Sequence, residues 1–266
     1  MDTYFSGKTV WITGASSGIG EALAVRLSQT GCKLILSARR ANELERVKAR
    51  CSKHGDVFLL PLDVTDFAAA EPSAEKALQF TGRVDILINN AGVSQRSLVK
   101  ETLFEVDKRI MDINFLGTVA LTKALLPHFI QNGSGHYVTV TSVTGKYGTP
   151  FRSAYAASKH ALHGFFDSLR AEMEDAGIKV TLITPGFIKT PITIAALTGD
   201  GSPLNMEDKG NASGLDPDYF AEKMLRAVAA RKREKAIGGT KELFGLFMKR
   251  FFPGLFAGMI KKINVR

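Results

Sequence analysis

The 266-residue chain holds only two cysteines, one tryptophan and nine prolines. Cys32 and Cys51 form no CxxC pair and no zinc pattern. A disulfide framework and a metal site are therefore not expected, and the thiols suit packing positions in a reducing compartment. No run reaches the roughly 18 uncharged apolar residues that a membrane-spanning helix needs. No apolar run precedes the first motif, and Asp2 is acidic. A signal peptide is not expected, and the expected location is cytoplasmic, with a peripheral position at a membrane surface left open. Repeats and low-complexity segments are missing too.

What is present is an ordinary globular composition, 45% hydrophobic and 23% charged. A chain of this length buries roughly three quarters of its unfolded surface, so it needs no covalent staple. The net charge of +9 is uneven. Residues 223–266 hold 12 basic and 2 acidic residues, which leaves 23 basic against 24 acidic elsewhere. The basicity is a C-terminal surface rather than a nucleic-acid footprint, and no nucleic-acid partner is expected.

Short apolar runs alternate with helical patterns. The runs are 9–13, 33–37, 57–62, 85–89, 136–141 and 179–184, with a weaker one at 235–238. Continuous apolar strands imply a sheet covered on both faces. The expectation is a single-domain α/β fold, doubly wound and Rossmann-like. It has about seven parallel strands and helices on both sides. Residues 1–240 form that domain, and 241–266 a basic amphipathic helical extension. The Gly-, Ser-, Asp- and Asn-rich stretch within about 188–216 reads as a functional loop over a substrate.

Thr13-Gly14-Ala15-Ser16-Ser17-Gly18-Ile19-Gly20 lies between the first strand and the first long helix. Glycines there let the backbone turn tightly, and the helix N-terminus offers free N–H groups to a pyrophosphate. The spacing GxxxGxG differs from the commoner dinucleotide fingerprint. About 20 residues on, where NAD sites tend to carry an acid, stands Ser37-Ala38-Arg39-Arg40. No carboxylate repels a 2′-phosphate, and Arg39 can clamp one, so NADP(H) is preferred over NAD(H).

Tyr155 and Lys159 are spaced i, i+4 on one helix face. Ser142 closes the fifth strand, at the sheet end where open α/β folds bind ligands. A tyrosine titrates near ~10, and a neighbouring ammonium favours its phenolate. A serine hydroxyl steadies a substrate oxygen.

The pattern TGASSGIG, Asn89-Asn90-Ala91-Gly92, Asn114, Ser142, Tyr155-x-x-x-Lys159 and Pro185-Gly186 resembles the short-chain dehydrogenase/reductase family over roughly residues 7–239. The resemblance implies that Tyr155 is the general acid of carbonyl reduction and the base of the reverse oxidation. Lys159 would hold the nicotinamide ribose and depress the tyrosine pKa. Ser142 would hold the substrate oxygen, and Asn114 a relay water. Gly14, Ser16, Ser17, Gly18 and Ile19 would surround the pyrophosphate and adenosine side. Asp63 would bind the adenine amino group beside Val64, and Asn90 the adenosine ribose region. Pro185, Gly186, Ile188 and Thr190 would sit by the nicotinamide. The three-residue gap between Tyr155 and Lys159 departs from the longer gap of enoyl reductases. A dimer or tetramer is the family-level expectation.

The extension carries five of the 17 phenylalanines between positions 244 and 256. Apolar residues recur at 244, 247, 248, 251, 252, 255, 256, 259 and 263, which is helical spacing, with Pro253-Gly254 set to split the helix. Packing on the domain or a second subunit competes with a peripheral membrane contact through 241–266. This tail is similar to those of the dehydrogenase/reductase member 7 and 11-beta-hydroxysteroid dehydrogenase-like branch. Phe187, Ile188, Ile192, Ile194 and Leu197, with Val143, Tyr147 and Phe151, favour an apolar ketone, aldehyde or secondary alcohol as substrate, though half of them would serve equally as core. The alternatives are a 3-oxoacyl-carrier-protein reductase-like enzyme and a nucleotide-sensing member without turnover.

Overall fold

The computed structural model describes residues 2–51, 56–206 and 209–261. Glu207 and Asp208 of the expected loop, and 262–266 of the extension with Ile263, lie outside the described residues. In chain order the elements are α1 (Asp2–Phe5), β1 (Thr9–Thr13), α2 (Gly18–Leu27), β2 (Lys33–Ser37), α3 (Ala41–Arg50) and β3 (Val57–Leu59). Then come α4 (Ala70–Thr81), β4 (Ile86–Asn89), α5 (Phe104–Met111), a π-helical turn (Asp112–Leu116), α6 (Gly117–Gln131) and β5 (Gly135–Val140). The chain closes with α7 (Ser153–Glu172), β6 (Ile178–Pro185), α8 (Lys209–Ala212), α9 (Pro217–Ala229), β7 (Glu234–Ile237), α10 (Thr240–Phe251) and α11 (Pro253–Ile260).

The seven strands form one parallel sheet in the order β3-β2-β1-β4-β5-β6-β7. Its two faces follow from the period of two along each strand. Val10, Ile12, Leu34, Leu36 and Ile88 turn one way, onto Leu23, Leu27, Phe220 and Met224 of α2 and α9. Trp11, Ile35, Leu87 and Tyr137 turn the other way, onto Leu125, Phe129, Leu162 and Phe166 of α6 and α7. Both layers exclude water, which is why the strands read as unbroken apolar runs.

The third strand is shorter than its apolar run. Leu60 and Leu62 still donate to Leu36 and Ala38, at 3.0 and 3.1 Å, on either side of Pro61. Proline has no N–H, and an edge strand is where its loss costs no ladder bond. The chain also reverses direction across the sheet between β1 and β4, which opens a crevice at the carboxyl ends of these strands.

Residues Phe104–Gln131 run as one helix of 28 residues, long and apolar enough by length and composition to cross a membrane. Charges at Lys108, Arg109, Asp112 and Lys123 interrupt it, so no uncharged run signals it in the sequence. Val106, Ile110, Asn114, Leu121 and Phe129 along it are buried in the domain.

The extension folds back on the domain. Met248 of α10 and Phe256 of α11 cluster with Val143 and Tyr147, and the Tyr147 and Phe256 rings lie 5.0 Å apart. A Cβ on Gly245 would come within 3.1 Å of the Tyr147 hydroxyl, so the small residue allows the close approach. Glu242 accepts from the Phe187 N–H at 3.4 Å, tying α10 to the loop after β6. Phe244, Phe247, Phe251, Phe252 and Leu255 remain exposed.

Candidate active site

The glycine loop is built for close backbone approach. Gly14 has φ +64°, and a Cβ there would lie 2.8 Å from the Ala91 Cα. At Gly20 a Cβ would sit 2.2 Å from the Gly14 carbonyl. Asn90 holds the loop by donating from Nδ2 to the carbonyls of Thr13 and Gly14, at 3.0 and 3.2 Å. A cleft of about 930 Å³ opens above the loop. Gly14, Ser16, Ser17, Gly18, Ile19, Arg39, Asp63, Val64, Asn90 and Thr190 all border it. A dinucleotide fits this donor set and this glycine cradle.

Arg39 is exposed at the cleft, as its position after β2 demands. Two further arginines join it: Arg40 of the quoted stretch, and Arg46, which the sequence did not reveal. Arg40 donates to Ser16 Oγ at 3.4 Å, and Arg46 donates to the Ser16 carbonyl at 3.2 Å. Arg46 also pairs with Glu21 at 2.7 Å, and its hydrogen bond is the main reason the Glu21 carboxyl sits below the usual range. Arg46 lies nine residues beyond the β2 end, in the second turn of α3, where only the fold reveals that it faces the cleft. Asp63 accepts from the Thr65 N–H and hydroxyl at 3.0 and 2.8 Å, which fixes its carboxylate at the rim.

The cleft continues into a pocket of about 90 Å³ at the carboxyl ends of β5 and β6. Ser142, Tyr155, Lys159, Pro185, Gly186 and Ile188 line it, with Ile19, Asn90 and Thr190 shared between pocket and cleft. Tyr155 and Lys159 stand one turn apart on α7 and are both buried. Lys159 Nζ donates to the Val140 carbonyl at 2.9 Å and stands 5.9 Å from the Tyr155 ring centre. Burial lowers the Lys159 ammonium to about 8.

Burial raises the Tyr155 phenol above its ordinary value, against the opposing pull of Arg152, a Ser142 hydrogen bond and Arg96. Depression of this phenol by Lys159 is therefore not what the structure shows. The ammonium is turned to the Val140 carbonyl, and desolvation outweighs the neighbouring charges.

Asn114 lies behind the pocket, fully buried in the π-helical turn. Such turns recur at functional sites because they break the regular i→i−4 ladder. Its Oδ1 accepts from the Val93 N–H at 2.8 Å, and its Nδ2 donates to the Val93 carbonyl and to Ser158 Oγ, each at 3.0 Å. A Cβ on Gly92 would lie 3.1 Å from Asn114 Oδ1 and 3.5 Å from Lys159 Nζ, so the three residues meet there. The side chain braces the strand end.

The apolar substrate residues divide. Phe187, Ile188 and Ile192 line the pocket. Val143 and Tyr147 pack under α10 and α11, and Leu197 is core to the cluster around Val106 and Ile110. Several lining residues carry no motif of their own, notably Ser94, Arg96, Arg152 and Asn211.

Gln95 also escaped the sequence reading. Its Oε1 accepts from the Ala154 and Tyr155 N–H groups, at 2.9 and 3.3 Å, at the start of α7. A distant amide thus caps the helix that carries the Tyr–Lys pair.

The family model described as short chain dehydrogenase matches residues 8–200. The chain is a short-chain dehydrogenase/reductase. Human dehydrogenase/reductase SDR family member 7 is 49% identical over 250 residues, 92% of this chain and 74% of that protein. Xenopus laevis dehydrogenase/reductase SDR family member 7B is 42% identical over 260 residues, 95% of this chain and 80% of that protein. The alcohol dehydrogenase of the archaeon Thermococcus sibiricus, complexed with 5-hydroxy-NADP, matches with a TM-score of 0.74 at 27% identity, covering 88% of this chain and 97% of that one. The short-chain dehydrogenase chain is thus an oxidoreductase of the member 7 type, in a family that uses NAD(P), acts on small molecules and commonly oligomerises.

Replacing Gln95 by leucine leaves two buried helix N–H groups unpaired, each at about 1–3 kcal/mol. Urea titration of Gln95→Leu should show a clear drop in midpoint. An unchanged midpoint would mean that the amide does not hold the helix start.

Proposed function

We propose that the protein is an NADP(H)-dependent carbonyl reductase, acting on a ketone or aldehyde with an apolar body. The observation that carries this reading is the convergence of Ser142, Tyr155 and Lys159 on one pocket that opens into the glycine-loop cleft. When bound, NADPH supplies a hydride to the carbonyl carbon. Ser142 holds the carbonyl oxygen, and Tyr155 gives that oxygen its proton. Lys159 and Asn90 orient the coenzyme side, while Phe187, Ile188 and Ile192 shield the reacting carbon from water. The pocket of about 90 Å³ suits the carbonyl and its nearest atoms, well below the roughly 300–1,000 Å³ of a whole drug-sized site. A longer apolar body would extend out along Ile192 and Ile194.

Support for NADP(H) comes from Arg39, Arg40 and Arg46 at the cleft and from the missing carboxylate after β2. Support for a peripheral membrane contact comes from the exposed Phe244, Phe247 and Phe251 of α10, with Phe252 between the helices and Leu255 of α11. Lys249 and Arg250 stand in the same helix as Phe247 and Phe251, where they match an anionic lipid surface.

Tyr155→Phe should lower turnover by about 10²–10⁴ while NADPH affinity holds. Near-normal turnover would remove Tyr155 as the acid. Arg39→Asp should shift the preference from NADPH toward NADH, and an unchanged coenzyme ratio would assign the 2′-phosphate to other residues. Co-sedimentation with phosphatidylserine vesicles should fall in Phe247→Ser/Phe251→Ser. Equal binding of both proteins would end the membrane reading.

A further inference from the structure

We infer, on the reductase reading above, that Asn211 and Glu242 are positioning residues for the hydride transfer. Together they set the backbone of residues 186–190, which on that reading walls the nicotinamide. Gly186, Phe187, Ile188 and Thr190 line the small pocket with Ser142 and Tyr155. Thr190 also borders the glycine-loop cleft, so this stretch is the wall where cleft and pocket meet. A hydride passing from a coenzyme in the cleft to a carbonyl held by Ser142 must cross at that junction. The stretch lies beyond β6, which ends at Pro185. Its placement therefore rests on bonds from other segments.

Three of those bonds run from backbone to backbone. The Gly186 N–H donates to the Ile237 carbonyl, the Lys189 N–H donates to the Leu215 carbonyl, and the Phe187 carbonyl accepts from the Leu215 N–H, each at 2.9 Å. Two side chains from other elements add to them. Asn211, on α8 in the loop expected over the substrate, is buried and donates from Nδ2 to the Ile188 carbonyl at 3.0 Å and to the Thr190 carbonyl at 3.2 Å. Glu242, on α10 in the C-terminal extension, accepts from the Phe187 N–H at 3.4 Å. Packing is close on both sides of the stretch. A Cβ on Gly214 would sit 2.7 Å from the Phe187 carbonyl carbon, and one on Gly186 would sit 3.2 Å from Glu242 Cγ.

An amide nitrogen carries two hydrogens, so Asn211 serves both carbonyls at once and fixes the spacing between residues 188 and 190. Glu242 is the third residue of α10, where a carboxylate also favours the helix N-terminus. One side chain thus serves the start of α10 and the wall of the pocket. Hydride transfer needs its reacting atoms within roughly 3–3.5 Å, and a displacement of about 1 Å can cost about 10²-fold in rate. The wall beside the reacting ring has to be held to that tolerance. Beyond the end of β6 no strand ladder continues to hold it, and the substrate loop and the extension do so through these two residues.

Asn211→Ala removes both donated bonds and Glu242→Ala removes the acceptor, whereas Glu242→Gln keeps an accepting oxygen in place. Two titrations of the full chain read the effect without turnover. One uses NADPH, and the other adenosine 2′,5′-bisphosphate, the portion of that coenzyme without the nicotinamide. NADH with ADP is run alongside as a matched pair, so the result does not depend on which coenzyme the protein prefers. Each alanine variant should bind the whole coenzyme roughly tenfold more weakly and the nicotinamide-free portion unchanged. Glu242→Gln should recover most of that loss. Equal weakening of both ligands means a merely structural role and overturns the proposal, and so does a coenzyme affinity that ignores the substitutions. The Glu242 pair decides the matter if Asn211→Ala does not fold. Turnover with a ketone is read separately and should fall roughly tenfold or more in each alanine variant. A selective loss of coenzyme affinity in a protein that makes no alcohol would refute the reductase reading and leave the placement of the coenzyme wall standing. An active reductase whose coenzyme affinity and turnover survive both alanine substitutions would do the reverse.

Discussion

A parallel sheet covered by helices on both faces leaves little except its strand ends open to a ligand. That constraint governs this protein. The faces of β1, β4 and β5 are closed by Leu23, Phe220, Phe129 and Phe166. The carboxyl ends must then hold every polar group that is to meet a ligand. The glycine loop follows β1, Asn90 follows β4, Ser142 follows β5, and Pro185 ends β6. One edge of the sheet thereby assembles residues spread over more than half the chain.

Helix α7 converts that edge into a chemical site. Its inner face is anchored by Leu162 and Phe166 against the sheet, which fixes the rotation of its first two turns. Tyr155 and Lys159 then have to face the end of β5, where Lys159 meets the Val140 carbonyl. The start of the helix is capped from another segment by Gln95, and the π-helical turn sets Asn114 behind Gly92 and Lys159. Burial then sets the electrostatics. It drives the phenol up and the ammonium down, each against its charged form.

Much of this was legible in the sequence because it is local. Strand periodicity, the glycine loop and the i, i+4 pair each lie within a few residues, and all seven strands fall on the apolar runs that announce them. The residues left unread depend on contacts between distant segments. Arg46 reaches the cleft because α3 packs beside α2, and its own neighbourhood looks like a charged surface helix. Gln95 and Arg96 follow a motif without belonging to it, and they enter the site because β4 ends opposite α7. Arg152 reads as a charged residue ahead of a helix, and only the fold sets it in the pocket wall. The substrate residues were mixed for the same reason: Ile188 and Ile192 line the pocket, whereas Val143 and Tyr147 support the C-terminal helices. The expected effect of Lys159 on Tyr155 failed because spacing gives adjacency and says nothing of which carbonyl the ammonium faces.

The central claim is a direct hydride transfer at the end of β5. NADPH carrying deuterium at the transferable position of the nicotinamide, incubated with the protein and a long-chain ketone, tests it most directly by mass spectrometry of the product. The account predicts an alcohol with one deuterium on the carbinol carbon, and none in Tyr155→Phe. Tight NADPH binding without any labelled alcohol, across neutral and anionic ketones alike, would contradict it.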